Sequence, residues 1–252
     1  YETTDMAALY HRVQKEKATR IIIVTDAGQS LHFAMIFKAA EKAQYFDPKQ
    51  VQLDHVLFGV VLGPDGKKFK TRSGETEKLI DLLMGAIQRA KQILKSRLPL
   101  LSEEELEKSA KILGIDSVKY ADLCCHRVKD YVFSYDRMLK FEGNTAAFLL
   151  YAYVRIQGIK RKVGKEAVKG PIILSHLSEA ALAFHLCLFP ETLQMMSQDL
   201  LPNRLCDYLY VLAEKFHAFF RDCRVEGSSE ENSRLLLSEV AAQVLKKGLS
   251  IL

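Results

Sequence analysis

The run Ile21-Ile22-Ile23-Val24-Thr25 constrains this chain more than any other feature. A β-branched apolar stretch this short, with charge before it and Asp26-Ala27-Gly28 after it, reads as a buried strand that ends in a turn. Beyond the turn, Leu31, Met35, Ala39 and Ala43, broadened by Phe33, Ile36 and Phe37, recur at helical spacing until Phe46-Asp47-Pro48 stops them. Val56, Phe58, Val60 and Val61 then mark a second strand over about residues 51–62. Strand, helix, strand is a βαβ unit, for which parallel pairing with a right-handed crossover is the default.

Residues 63–74 read Gly-Pro-Asp-Gly-Lys-Lys-Phe-Lys-Thr-Arg-Ser-Gly, and three glycines and a proline forbid a regular element there. Helical periodicity returns from about Glu75 to Arg97, and apolar residues three or four apart recur near 102–113, 117–129, 145–163, 172–187, 191–222 and 233–251. Ser102 followed by Glu105 has the form of a capping box, and Asn232 or Ser233 is placed to cap the last helix. The expected fold is therefore α/β plus all-α: part of a doubly wound, Rossmann-like parallel sheet followed by a helical bundle, with a boundary between about 130 and 145.

With 48% hydrophobic and 27% charged residues among 252, the chain has the balance of an ordered globular protein of one or two domains. A formal charge of +5 is too small to imply a polyanionic partner by itself. Five cysteines without a CxxC pair argue against a disulfide framework and for a reducing, cytoplasmic setting. No apolar run is long enough for a membrane span, and no Cys/His group has zinc-ligand spacing, so neither a membrane nor a bound metal is expected. The chain begins at Tyr1 rather than methionine, so upstream sequence is expected.

Lys67, Lys68, Lys70 and Arg72 set four cations between flexible glycines just after a buried strand, where open α/β sheets bind ligands. Such a loop suits a phosphate, because cations can neutralise the charge that develops as a phosphoryl bond breaks. A solvated basic turn is the plainer reading of the same residues. The stretch FGVVLGPDGKKFKTRSGET resembles the arginine-specific version of the class I aminoacyl-tRNA synthetase phosphate loop, the KMSKS motif. Lys68, Phe69, Lys70, Thr71 and Arg72 fall in turn on its five positions, with threonine where the second lysine usually stands. Further blocks resemble the same family: YETTDMAA at the start, AGQSLHF, VKYADL, FEGNTAAFLLYAYVR, and Asn232-Ser233-Arg234-Leu235 in a DALR-type anticodon-binding domain.

The resemblance implies an arginine-tRNA ligase that uses ATP with Mg²⁺, L-arginine and the tRNA for arginine, acting as a monomer. It implies three regions: residues 1–100 as the C-terminal part of the catalytic domain with the phosphate loop at 63–75, residues 101–143 as a helical connecting region that contacts the tRNA stem, and residues 144–252 as the anticodon-binding domain. A guanidinium offers five donors and no acceptor, so its pocket needs acceptors. Tyr1, Asp5 and Gln29 are implied for that role. Without the family, Tyr1 and Asp5 read as a frayed terminus with an exposed helix-capping aspartate, and Gln29 as a first-turn helix residue bonding its own backbone. His32, Phe58, Val60 and Val61 are implied on the ATP side together with Lys68, Phe69, Lys70 and Thr71, and Lys68, Lys70 or Arg72 is implied to act in catalysis. Phe148, Tyr151 and Arg155 share a helical face and are implied in tRNA binding, although aromatics at that spacing also form cores. Arg155, Lys160, Arg161, Lys162, Lys165 and Lys169 follow as a cationic patch opposed in sequence only by Glu166.

No His-x-Gly-His element occurs, so the resemblance implies half of a catalytic site here, the HIGH half lying elsewhere. The alternative is a noncatalytic RNA-binding or assembly module that kept synthetase architecture.

Overall fold

Helix α1 (Glu2–Gln14) leads into β1 (Arg20–Asp26), α2 (Ser30–Lys42), β2 (Gln52–Phe58) and the two-residue β3 (Val61–Leu62), in a computed structural model that describes residues 1–63, 65–67 and 78–252. The strands β1 and β2 pair in parallel, Arg20 opposite Gln52 and Asp26 opposite Phe58, as a βαβ unit requires. The second strand of the sequence reading is broken at Gly59-Val60 rather than continuous over 51–62. Here the segment 127–131 comes back against the strand end: Gly59 N donates to Arg127 O at 2.6 Å, and Tyr131 N donates to Val60 O at 3.3 Å. A Cβ on Gly59 would lie 2.6 Å from the backbone carbonyl of Lys129, so only glycine permits that approach.

Residues 1–62 with 127–131 form one unit, and residues 63–126 with 132–252 the other. The first unit is built around Leu9, Ile21, Ile36, Ala40 and Val51, with Met6, Val13, Ile23, Phe37 and Leu53 packed around them. Helix α2 buries Phe33, Ile36 and Ala40. The stripe through Leu31 and Met35 that periodicity favours is exposed instead, because the two aromatic residues and Ile36 lie on the face turned to the sheet. Ile22 and Val24, on the other face of β1, are also exposed.

In the second unit α3 (Leu79–Arg97) packs along α4 (Glu103–Leu123). The capping box at Ser102 is present, with Glu105 N donating to Ser102 Oγ and Ser102 N donating to Glu105 Oε2, each at 3.3 Å. The helix runs unbroken through Gly114, where the sequence reading placed a gap. A Cβ at Gly114 would lie 2.7 Å from the backbone of Ile87, so this glycine marks a close helix–helix approach and not a helix end. A two-residue strand, β4 (Tyr131–Val132), interrupts the helices before α5 (Tyr135–Met138).

The bundle that follows contains α6 (Ala146–Val163), α7 (Leu177–Cys187), α8 (Phe189–Asp199), α9 (Asn203–Asp222) and α10 (Glu231–Ile251). Leu149, Ile156, Leu182, Leu205, Leu209, Leu212, Phe216, Phe219, Leu235 and Leu245 are buried together in its core. The expected helix over 191–222 is two, because Leu200 takes a left-handed conformation (φ 54°) that ends α8 just before Pro202. Residues 164–176 form no helix, and α7 starts at Leu177 rather than near 172. This strap is held by side chains of α10: Asn232 Oδ1 accepts from Val168 N at 2.8 Å and its Nδ2 donates to Val168 O at 2.9 Å, while Ser233 Oγ accepts from Ile173 N at 2.7 Å. Asn232 and Ser233 thus bind another segment instead of capping their own helix.

Beside them Glu179, buried in the core, takes Arg234 Nε at 2.6 Å and the amides of Ser175 at 2.7 Å and His176 at 2.8 Å. Burial pushes the Glu179 carboxyl up, but the Arg234 bond and the two amides outweigh it and hold the group below its usual range, so it stays ionised.

Two outcomes follow from these contacts. Glu179→Ala leaves Arg234 in the interior without its carboxylate and should cost the helical unit about 3–5 kcal/mol in urea unfolding followed by far-UV circular dichroism. Gly59→Ala should force segment 127–131 off the strand end, read as fast hydrogen exchange at the amides of residues 59 and 60 with the rest of β1 and β2 still protected.

Candidate functional site

The carboxyl ends of β1 and β2 carry the first group of side chains. Asp26 ends β1 and caps a turn of 3-10 helix, Ala27–Gln29, that leads into α2: its Oδ1 accepts from Gly28 N and its Oδ2 from Gln29 Nε2, both at 2.8 Å. The Gln29 bond and then the Gly28 amide hold the Asp26 carboxyl below the usual range. Since the Gln29 amide nitrogen is engaged with Asp26, its oxygen is the end left for a ligand donor. One turn into α2, His32 Nε2 donates to Asp5 Oδ2 at 2.7 Å, joining the start of α1 to the start of α2. Asp5 and His32, assigned from sequence to arginine and to ATP, are therefore direct partners.

Tyr1 is 99% exposed ahead of α1, and its carbonyl accepts from Asp5 N at 3.0 Å. Its side chain is not brought to Asp5 or Gln29. Phe58 and Val60 are exposed at the end of β2 and just beyond it, and Val61 opens β3 half-buried. The backbone there is fixed by Asp130, whose Oδ1 accepts from Val60 N at 2.6 Å. Thr25 Oγ1 and His55 Nε2 lie 2.6 Å apart on adjacent strands, and burial lowers the His55 pKa while the Asp26 charge works the other way. Asp26, Thr25, His55 and Asp130 were not singled out from sequence; only Asp26, at a strand end before a glycine, carries a local signal.

Lys68, Phe69, Lys70, Thr71 and Arg72 lie outside the described residues. The loop begins as a turn in which Gly63 N donates to Lys67 O at 2.7 Å and Gly66 takes φ 73°. Among the described residues no cluster of three or more His, Cys, Asp or Glu side chains is placed to hold a metal ion, and no helix is long and apolar enough to cross a membrane.

The second group lies in the helical unit. Thr145 caps α6, accepting from Phe148 N at 3.2 Å, and Phe148, Tyr151 and Arg155 share one face of the helix. Arg155 Nη2 donates to Tyr151 Oη at 2.6 Å and its Nη1 to His217 Nδ1 at 3.1 Å. The guanidinium lies over the Tyr151 ring at 4.6 Å and over Phe220 of α9 at 4.8 Å, while Phe148 meets the His217 ring edge-on at 5.0 Å. The three residues are brought together, and His217 and Phe220 complete the face. The cationic patch is weaker than its sequence implies, because α10 supplies two more carboxylates: Glu239 pairs with Lys160 at 2.8 Å, and Glu231 pairs with Lys165. Arg161, Lys162 and Lys169 remain exposed.

Comparison with known proteins places both parts of the chain in one family. Residues 1–135 match the model of the class I tRNA synthetase (R) catalytic domain, and residues 149–252 match the DALR anticodon-binding domain. The chain is 63% identical to the arginine–tRNA ligase of Protochlamydia amoebophila and 52% identical to that of Chlamydia caviae, each over the whole of this chain but only 44% and 45% of the relative. Among solved structures it superposes on the arginyl-tRNA synthetase of Plasmodium falciparum with a TM-score of 0.85 at 33% identity, covering all of this chain and 43% of that one. The match to the Thermus thermophilus arginyl-tRNA synthetase has a TM-score of 0.80 at 25% identity, covering 93% and 40%. The chain, which spans about 45% of the length of these curated relatives, belongs to the arginine-specific class I aminoacyl-tRNA synthetases.

Proposed function

We propose that this chain is the C-terminal part of an arginine-tRNA ligase, in which arginine and ATP give arginyl-adenylate and pyrophosphate and the arginyl group then passes to the 3′ end of its tRNA. The observation that carries the reading is identity of 63% sustained over both modules with one arginine–tRNA ligase. The regional division at 1–100, 101–143 and 144–252 belongs to the same proposal, and the family matches at 1–135 and 149–252 support its last boundary alone. All five cysteines are unpaired thiols, which fits the cytoplasm, where a monomeric enzyme is the form proposed.

At the strand ends, Asp5 supplies the charge that a guanidinium needs. The Gln29 oxygen and the Tyr1 hydroxyl add neutral acceptors, Tyr1 having to move inward to do so. His32, held by Asp5, lies at the start of α2, where the helix dipole favours a nearby phosphate. The backbone at Phe58 to Val61, fixed by Asp130 and Arg127, offers an edge for adenine, and Lys68, Phe69, Lys70 and Thr71 are assigned to the triphosphate from sequence. Mg²⁺ enters as part of the ATP complex, held mostly by phosphates and water, which agrees with how that ion binds when a protein offers few carboxylates. Lys68, Lys70 and Arg72 are the groups placed by sequence to neutralise the charge that grows as pyrophosphate departs. Phe148, Tyr151 and Arg155 are assigned to the tRNA, with aromatic rings for stacking on bases and a guanidinium for a base or phosphate.

The test is arginine-dependent exchange of pyrophosphate into ATP by the parent polypeptide in the presence of the tRNA. Replacing Lys68, Lys70 and Arg72 singly by alanine should lower kcat by about 10²–10³ at the position that carries the charge. Asp5→Asn should instead raise KM for arginine more than it lowers kcat. Activation of a different amino acid in place of arginine would sink the assignment.

A further inference from the structure

Arginine carries five N–H donors and no acceptor, so the ring nitrogen facing Arg155 Nη1 has to accept. His217 Nδ1 is therefore the lone-pair nitrogen and the ring proton sits on Nε2. That Nε2 is buried with no hydrogen-bond partner among the described residues. An unsatisfied buried N–H is destabilising, and a phenylalanine in the same space would avoid it. The side chain thus earns its place through Nδ1.

What Nδ1 does follows from the other contacts of Arg155. Tyr151 and Phe220 lie against the guanidinium at 4.6 and 4.8 Å and set its plane. Stacking leaves rotation within that plane free. Tyr151 Oη and His217 Nδ1 remove this freedom by taking one donor each from Nη2 and Nη1, and three N–H groups stay without a protein acceptor among the described residues. Tyr151 and Phe220 are themselves part-exposed, so a flat ring can approach the same face.

We propose that His217 is a positioning residue for tRNA recognition: its Nδ1 turns the Arg155 guanidinium so that two free donors meet the two-acceptor edge of a nucleobase stacked on this aromatic face. This rests on the assignment of Phe148, Tyr151 and Arg155 to the tRNA and adds the residue that aims the arginine. A base, rather than a phosphate alone, is the target because the part-exposed rings of Tyr151 and Phe220 beside the guanidinium offer a surface on which a base stacks and a phosphate does not.

Protonation of His217 would put a donor against a donor and a charge against a charge. The charged group acting on the ring is Arg155 from α6; Tyr151 of α6 and Phe148, Phe216 and Phe220 are uncharged neighbours, and on α9 Tyr210, next to Phe148, is occupied by Glu214 at 2.8 Å. Burial first and Arg155 second both lower the His217 pKa, so the neutral, accepting form prevails at neutral pH and is lost on acidification.

The experiment measures binding of the 252-residue chain to an arginine tRNA transcript, and to the same transcript with altered anticodon bases, from pH 5 to 8 at fixed salt. His217→Leu removes the acceptor, His217→Asn keeps an acceptor oxygen near the Nδ1 position without titrating, and Arg155→Ala tests the underlying assignment. We expect His217→Leu to lose about tenfold in affinity for the cognate transcript and most of its discrimination, which a general weakening would leave intact. His217→Asn should retain both at pH 8, and should lose less affinity than the wild type as pH falls through the His217 titration, since other histidines contribute equally to the two proteins. Loss of discrimination by a folded His217→Asn at pH 8 would overturn the proposal, as would full discrimination by a folded His217→Leu. If Arg155→Ala binds and discriminates like the wild type, the tRNA assignment of this face falls first; if Arg155→Ala fails while His217→Leu does not, only the positioning role falls.

Discussion

Glu179 is ionised where water does not reach it, and much of the helical unit is arranged around that fact. A buried carboxylate needs a counter-charge and donors for both oxygens, and it draws them from two places: Arg234 on α10, and the backbone at the start of α7. Arg234 in turn gives Nη1 to the carbonyl of Arg224, just beyond the end of α9. One ion pair thereby ties together α7, α10 and the chain leaving α9, and residues 232 and 233, next to Arg234, pin the strap over 168–173. Because the Glu179 pKa lies below its unfolded value, the contribution is present above the ordinary carboxylate range and is lost only as pH falls through the lower folded value. The core leucines and phenylalanines supply most of the burial, but they are non-directional. The ion pair and its amides fix which helix end meets which, and so help set α9 against α6 with His217 and Phe220 beside Arg155.

How much of this could be read from the chain depends on how local the cause was. The strand at 21–25 and the cap at Ser102 depend on neighbours within a few residues, and both form as expected. Gly114 looks like an interruption when only its own segment is considered. Its reason for being there is the backbone of Ile87, 27 positions away in the sequence on α3. Asn232 and Ser233 are ideal caps by residue type, yet the backbone of residues 168 and 173 has the prior demand, since a strap without regular structure has no partners of its own. In α2, periodicity offered two overlapping apolar stripes, and packing against the sheet chose the one with Phe33 and Ile36.

The candidate sites divide in the same way. Phe148, Tyr151 and Arg155 lie three and four apart, so their shared face follows from helix geometry alone. His217 and Phe220 are more than 60 residues further on and become visible only when α9 is packed on α6. Asp5 and His32 were assigned separately, by resemblance, to two different ligands. Their hydrogen bond makes them a coupled pair, so whatever binds one acts on the other. The loop at Lys68 to Arg72 is legible as chemistry from its charges and by resemblance as a motif, and neither depends on the described residues.

The two units are unequally furnished. The helical unit encloses a large core, whereas the α/β unit centres on the small cluster of Leu9, Ile21, Ile36, Ala40 and Val51 and leaves Ile22 and Val24 uncovered on one face of a two-stranded parallel sheet. Parallel strands are ordinarily covered on both faces, and two strands with one bare side are a small fraction of such a sheet. This chain spans about 45% of its relatives, so that bare face is where the proposal of a longer parent enzyme meets a physical need. Of the two units it is also the one whose local opening is least opposed by buried area. A ligand held across Asp5, Gln29 and the backbone at Val60 would join α1, the start of α2 and the end of β2. Its binding energy would then add to folding where the chain's own packing supplies least.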